Sequence, residues 1–122
     1  MHELSVASDL LELVQAELKG QEVQVESIHL KLGVLAGVVK EALEFSFEVV
    51  TQRTELAGAK LLIEDVPLGI YCLNCKAEKV LEGVQSLRCP ECGQLSGDIR
   101  QGKELELVTL AVRDLERQEV YG

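Results

Sequence analysis

Two identical cysteine pairs, Cys72-x-x-Cys75 and Cys89-x-x-Cys92, contain every cysteine of this 122-residue chain. Thirteen residues separate the pairs. A Cys-x-x-Cys turn directs two sulfurs at one ion, and two such turns supply the four thiolates of a tetrahedral site, most often zinc. The spacing therefore predicts a zinc-ribbon-like module in which Cys72, Cys75, Cys89 and Cys92 are the zinc ligands.

The residues around the second pair suit a tight metal-binding turn. Pro90 fixes the backbone between the cysteines, and Gly93 permits a sharp turn after the second sulfur. Because four thiolates saturate tetrahedral zinc and leave no position for water, a structural role is expected rather than a catalytic one. A rubredoxin-like iron site and a thiol–disulfide switch are the alternatives that the cysteines leave open.

Hydrophobic periodicity predicts five elements outside the cysteine module. Apolar residues at three- and four-residue steps favour helices over 6–19, with Ser5 as N-cap, and over 38–53. Alternating patterns favour strands over 23–32, 59–66 and 103–112. We therefore predict an α+β fold, in which two helices cover one face of a three-stranded mixed sheet and the cysteine module is inserted before the last strand.

This order of elements predicts a discontinuous domain. Residues 1–67 and 101–113 would form an α/β domain, residues 68–100 the zinc-binding module, and residues 114–122 a charged C-terminal tail. The last strand has to return to the sheet, since a lone strand would expose its apolar face to water.

Net charge restricts the partners. The chain has 12 basic and 21 acidic residues, a formal charge of −9, and such a surface repels phosphate backbones, so nucleic acid is not an expected partner. No stretch approaches the ~18 apolar residues that a membrane span requires. The start of the chain does not have the pattern of a signal peptide. We expect a cytoplasmic protein that does not bind membranes.

The first three residues form a second candidate metal site. The Met1 amine, the His2 amide nitrogen and the His2 imidazole can close two small chelate rings, and Glu3 can add a fourth ligand through its amide or its carboxylate. Such nitrogen donors in one plane suit Ni(II) or Cu(II). A solvated terminus without any metal role is the alternative. The second histidine, His29, falls on the polar side of a predicted strand, where a structural or solvated role is expected.

Neither a phosphate-binding glycine-rich loop nor a convergent set of nucleophile and base is present in the sequence. The chain is therefore not expected to be an enzyme or to hydrolyse GTP itself.

Taken together, these motifs resemble the HypA/HybF family of hydrogenase nickel-incorporation proteins. The resemblance extends along most of the chain, and it is the joint order of the motifs that makes it specific. The motifs are Met1-His2-Glu3-Leu4-Ser5, Gly33, Gly37, Leu43-x-Phe45-x-Phe47-Glu48, Thr54, Gly58-Ala59-x-Leu61, the two cysteine pairs and Gly102-x-Glu104-Leu105.

The resemblance implies a nickel metallochaperone with nickel at Met1, His2 and Glu3 and structural zinc at the four cysteines. It also implies two partners, the GTPase HypB and the large subunit of [NiFe]-hydrogenase, and for some relatives urease maturation factors. Some relatives have an acidic residue near the start of the second helix, where this chain has Val38-Val39-Lys40-Glu41, so no nickel ligand is assigned there. The alternative function is a zinc-ribbon protein-interaction module without nickel transfer.

Overall fold

The computed structural model describes residues 2–83 and 86–115, and for His2 it describes the backbone alone. The predicted tail 114–122 lies outside the described residues from position 116 onward. The helices and strands are α1 (His2–Glu17), β1 (Val23–Gly33), α2 (Lys40–Thr51), β2 (Lys60–Val66), β3 (Gly69–Cys72), β4 (Ala77–Val80), β5 (Ile99–Gln101) and β6 (Leu105–Asp114).

The predicted fold class is confirmed. Two helices accompany a mixed three-stranded sheet of order β2-β1-β6, and a second sheet of order β4-β3-β5 is inserted in the chain between β2 and β6. One expected boundary is wrong. Helix α1 begins at His2, so Ser5 lies inside its first turn and is not its N-cap. The apolar stripe marks the buried face of a helix but not its first residue, and the acidic Glu3 suits a helix start.

The chain divides into two compact units. Among the described residues, the first comprises 2–30, 38–63 and 107–115, and we call it the helical unit. The second comprises 31–37, 64–83 and 86–106, and we call it the cysteine unit. In the part of the chain that the structure describes, no helix is long and apolar enough to cross a membrane.

An aliphatic core with one central aromatic ring holds the helical unit together. Helix α2 buries Leu43 and Phe47 one turn apart, and a β1 side chain, Ile28, is buried against them. This spacing places both α2 side chains on the helix face that meets α1 and the sheet. The other buried members of the core are Ala7, Leu10, Val14, Val25, Leu30 and Leu56.

The cysteine unit has a much smaller core. Strand β3 pairs antiparallel with both β4 and β5, and its buried apolar cluster consists of Leu68, Ile70 and Leu81, with Leu87 and Ile99 partly buried beside it. A cluster this small stabilises a fold weakly, because burying one such side chain contributes about 1.5–3 kcal/mol. The unit therefore needs a further cross-link.

Two glycines allow a close backbone approach within the cysteine unit. The Gly33 amide donates to the Glu104 carbonyl at 2.7 Å, and the Leu35 amide donates to the Gly102 carbonyl at 2.6 Å. A Cβ at position 33 would overlap the carbonyl group of Gly102 and lie 2.6 Å from the Glu104 amide nitrogen. Only glycine fits here, because all the neighbouring atoms belong to backbone.

We expect Gly33→Ala to destabilise the protein by about 1–3 kcal/mol, the usual cost of overpacking. Gly97→Ala is the matched control, since a Cβ there meets nothing within 4 Å, and it should change stability by less than about 0.5 kcal/mol. Urea unfolding of both metal-loaded variants gives the comparison. Equal stabilities for the two variants would show that the close approach at position 33 relaxes without cost.

Candidate metal centres

The four cysteine sulfurs converge within the cysteine unit. Cys72 ends β3, Cys75 lies in the turn to β4, and Cys89 and Cys92 belong to the loop closed by the bridge between Arg88 and Leu95. All four Sγ atoms lie within 4.8 Å of one another, with Cys72–Cys92 at 3.5 Å and Cys75–Cys89 at 3.8 Å. A tetrahedral ion with metal–sulfur bonds of ~2.3 Å requires sulfurs about 3.8 Å apart.

Both cysteine turns end in a residue with a left-handed backbone conformation. The residue after the second cysteine of each pair has a positive φ, 54° at Lys76 and 77° at Gly93. In the first pair the Cys75 amide donates to the Cys72 sulfur at 3.4 Å. In the second, the Gly93 amide donates to the Cys89 carbonyl at 2.8 Å. The glycine was predicted from the sequence; the left-handed lysine, a conformation that costs a non-glycine residue about 1–2 kcal/mol, was not.

Three of the thiols, Cys75, Cys89 and Cys92, have shifted pKa values. The adjacent thiol of Cys92 raises the pKa of Cys75 to about 12. The backbone amide of Gln94, assisted by Asn74, lowers the pKa of Cys92 to about 6. Hydrogen bonding to the backbone of Cys92 also lowers the pKa of Cys89. Of these three thiols, Cys75 holds its proton most tightly, and metal binding has to displace that proton.

This donor set fits one thiolate-binding cation. All four cysteines are free, and the sulfurs are far beyond the ~2.05 Å of a disulfide bond. Cys72 and Cys89 are buried and Cys92 is exposed, so one edge of the cluster faces solvent. Zinc and iron both accept this geometry.

At the amino terminus the structure describes only part of the predicted nickel site. Met1 and the His2 side chain lie outside the described residues, and the His2 backbone begins α1. The third predicted nickel ligand, Glu3, lies in the helical unit and not in the cysteine unit. His29 is exposed on β1.

The Glu3 carboxylate caps a helix other than its own. Its Oε2 accepts the Val39 amide proton at 2.9 Å. Val39 is the N-cap residue of α2, and its apolar side chain makes no capping hydrogen bond. An anion at a helix N-terminus is favourable, and a glutamate that accepts the N-cap amide proton does what the glutamate of a capping box does. This hydrogen bond is the main reason that the pKa of Glu3 falls to about 2. Sequence periodicity gave no sign of it, because 36 positions separate the partners.

We expect Glu3→Ala to lower the melting temperature of the metal-free protein at pH 7, while Glu12→Ala, an exposed change on α1, leaves it nearly unchanged. In the folded state the pKa of the Glu3 carboxylate lies below its usual value of 4.5. Its stabilising effect is therefore complete above that value and is lost as the pH falls toward 2.

The difference in melting temperature between wild type and Glu3→Ala should accordingly shrink between pH 7 and pH 3. Thermal unfolding of both proteins in identical buffers measures it. A difference that stays constant over this range would exclude the carboxylate–amide contact as its cause.

Comparison with known proteins identifies a family. A family model described as "Hydrogenase/urease nickel incorporation, metallochaperone, hypA" matches residues 1–112. The hydrogenase maturation factor HypA of Chloroflexus aurantiacus is 43% identical over 111 residues, which cover 90% of this chain and 97% of that protein. The hydrogenase maturation factor HypA of Roseiflexus sp. is 44% identical over 115 residues, covering 93% and 94%.

Solved structures show the same fold. The solution structure of the Ni metallochaperone HypA from Helicobacter pylori aligns with a TM-score of 0.63 at 23% identity, covering 92% of this chain and 97% of that one. A second solution structure of a HypA protein aligns with a TM-score of 0.67 at 24% identity, covering 93% and 97%. At these identities the likeness concerns the fold.

Proposed function

Because the chain belongs to the HypA family of nickel-incorporation metallochaperones, we propose that it binds Ni(II) at its amino terminus and delivers it during hydrogenase maturation. The single observation that carries the proposal is the family match over residues 1–112, which spans both the opening Met1-His2-Glu3 and the four cysteines. The recipient would be the large subunit of [NiFe]-hydrogenase, with the GTPase HypB as a partner. Urease maturation factors are a further destination. We propose a cytoplasmic carrier with no catalytic activity of its own.

The start of α1 supports nickel binding by backbone nitrogen. The first four amide groups of a helix have no partner within the helix, and α1 begins at His2. The amide nitrogens of His2 and Glu3 can therefore lose their protons to a metal ion without breaking a helical hydrogen bond. Deprotonated amides also supply the negative charge that offsets the unfavourable position of a cation at the positive end of a helix.

The Glu3 hydrogen bond refines the proposed ligand set. One carboxylate oxygen already accepts the Val39 amide proton, and that contact fixes the opening residues to the start of α2. We therefore favour the amide nitrogen of Glu3 over its carboxylate as the fourth ligand. The set becomes the Met1 amine, the His2 amide and imidazole, and the Glu3 amide.

Zinc at Cys72, Cys75, Cys89 and Cys92 is the second part of the proposal. Sulfur–sulfur separations of 3.5 and 3.8 Å support a tetrahedral ion, and the small apolar core supports a structural need for it. When bound, zinc would cross-link the two cysteine pairs. Four thiolate ligands leave it no free coordination position.

A zinc-ribbon interaction module without nickel transfer is the second candidate function. The observation in its favour is the exposure of two leucines beside the cysteine pairs, Leu73 at 75% and Leu95 at 61%. Exposed leucines of this kind suit protein contacts. The two functions are separated by whether the amino terminus binds nickel.

We expect His2→Ala to abolish tight nickel binding and to leave one zinc per chain, because it removes the imidazole ligand without touching the cysteines. The chain has only two histidines, so His29→Ala is a matched control that should bind nickel as wild type does. Calorimetric titration of untagged protein with Ni(II), together with metal analysis, provides the measurement. Full-strength binding by His2→Ala would leave the interaction module as the better account.

We expect two residues added before Met1 to weaken nickel binding or change its absorption spectrum, because they convert the terminal amine to an amide. The same two residues added after Gly122 serve as the control and should change neither. An identical nickel spectrum in both extended proteins would remove the Met1 amine from the ligand set.

A further inference from the structure

Lys79 is a lysine of the cysteine unit whose side chain is mostly buried. The β3–β4 register pairs Ile70 with Lys79 and Cys72 with Ala77. Since residues two apart on a strand point to the same face, Lys79 lies on the face of the hairpin that carries Cys72. Only 15% of its side chain is exposed. A lysine is seldom buried to this extent without a charged partner.

One charged partner of Lys79 lies within the second cysteine pair. Its Nζ is 2.7 Å from Oε2 of Glu91, which stands between Cys89 and Cys92. The ion pair thus connects β4, next to the first cysteine pair, with the second pair. Glu91 is 68% exposed, and a pair open to solvent on one side adds little stability by itself. The ion pair therefore matters less for its own contribution to stability than for the place in which it holds the ammonium group, beside the second cysteine pair.

The metal centre of the proposed function carries excess negative charge. Four thiolates around one divalent cation sum to a charge of −2, and part of the cluster is buried. A cation near such a group favours the charged thiolates over protonated thiols, which bind no metal. Lys79 shares a strand face with Cys72, and its ammonium is held by a residue that lies between Cys89 and Cys92, so the geometry places a cation beside the cysteine cluster.

We propose that Lys79 is a positioning residue for the zinc site, whose ammonium group, held by Glu91, offsets the charge of the metal-bound thiolates and slows loss of the ion. The inference rests on the proposed zinc at the four cysteines. Lys79 would not be a zinc ligand. Its ammonium group would act on the ion indirectly, by stabilising the negative charge of the sulfurs. Residues that support metal ligands without binding the metal themselves have effects of known size: their removal typically weakens metal binding about 10- to 100-fold.

The test is the rate at which zinc-loaded, full-length protein transfers its ion to a chromogenic chelator. Lys79→Met removes the charge but keeps the apolar stem, and it should release zinc about tenfold faster, at the lower end of the range for such groups. Lys79→Arg keeps the charge and should release zinc nearly as slowly as wild type. Lys103→Met, a change at an exposed lysine of the same unit, is the matched control and should have no effect.

Two further measurements separate charge from packing. The difference between Lys79→Met and wild type should shrink in high salt, since salt screens a charge effect and not a packing defect. Glu91→Gln removes the partner but also a negative charge, so it should accelerate release less than Lys79→Met does. If Glu91→Gln and Lys79→Met accelerate release equally, the ion pair acts as a mechanical tie and the charge proposal is overturned.

Failure of this inference and failure of the zinc assignment give different results. Wild-type rates in Lys79→Met, with one zinc per chain in both proteins, would overturn only the role of Lys79. Release by Lys79→Arg as fast as by Lys79→Met would do the same. Wild-type protein that contains no zinc when purified and takes up none would overturn the zinc assignment and the inference with it.

Discussion

The convergence of four sulfurs from two separate stretches of chain is the constraint on which the cysteine unit depends. Among its described residues the buried apolar cluster consists of Leu68, Ile70 and Leu81, too few to hold its strands and loops in place. The sulfurs lie within 4.8 Å of one another, so one ion could join the hairpin of Cys72 and Cys75 to the loop of Cys89 and Cys92. Metal binding and folding are then one process, as in small zinc domains generally.

The amino terminus meets the opposite requirement, because a transferred ion has to leave. Its proposed donors are nitrogen atoms at the start of α1, where the helix does not use its own amide groups. The Glu3 carboxylate fixes the start of α1 to α2 through the Val39 amide. Four thiolate ligands suit an ion that stays bound. An ion that is passed on is better held by ligands at a chain end, because they can be displaced one at a time.

Local patterns in the sequence predicted most of the fold. Cysteine spacing identified the cluster, and apolar periodicity gave the order of helices and strands, because both depend on residues that are neighbours in the chain. The start of α1 was misplaced by four residues, since Ser5 is a residue type that favours an N-cap although it lies within the helix.

Long-range contacts made by polar side chains could not be predicted in this way. The ion pair between Lys79 and Glu91 exists because the hairpin register and the second cysteine turn bring the two together, and no local sequence pattern links these two positions. The positive φ of Lys76 was missed for a related reason: the cysteine turn imposes it on a residue that does not favour it. Both features can be identified only from the folded structure of the cysteine unit.

X-ray absorption at the zinc and nickel edges of one untagged, nickel-loaded sample tests the central claim most directly. The account predicts zinc surrounded by four sulfurs at ~2.3 Å and nickel surrounded only by nitrogen and oxygen. Sulfur in the nickel coordination shell, or zinc displaced from its sulfurs by nickel, would contradict it.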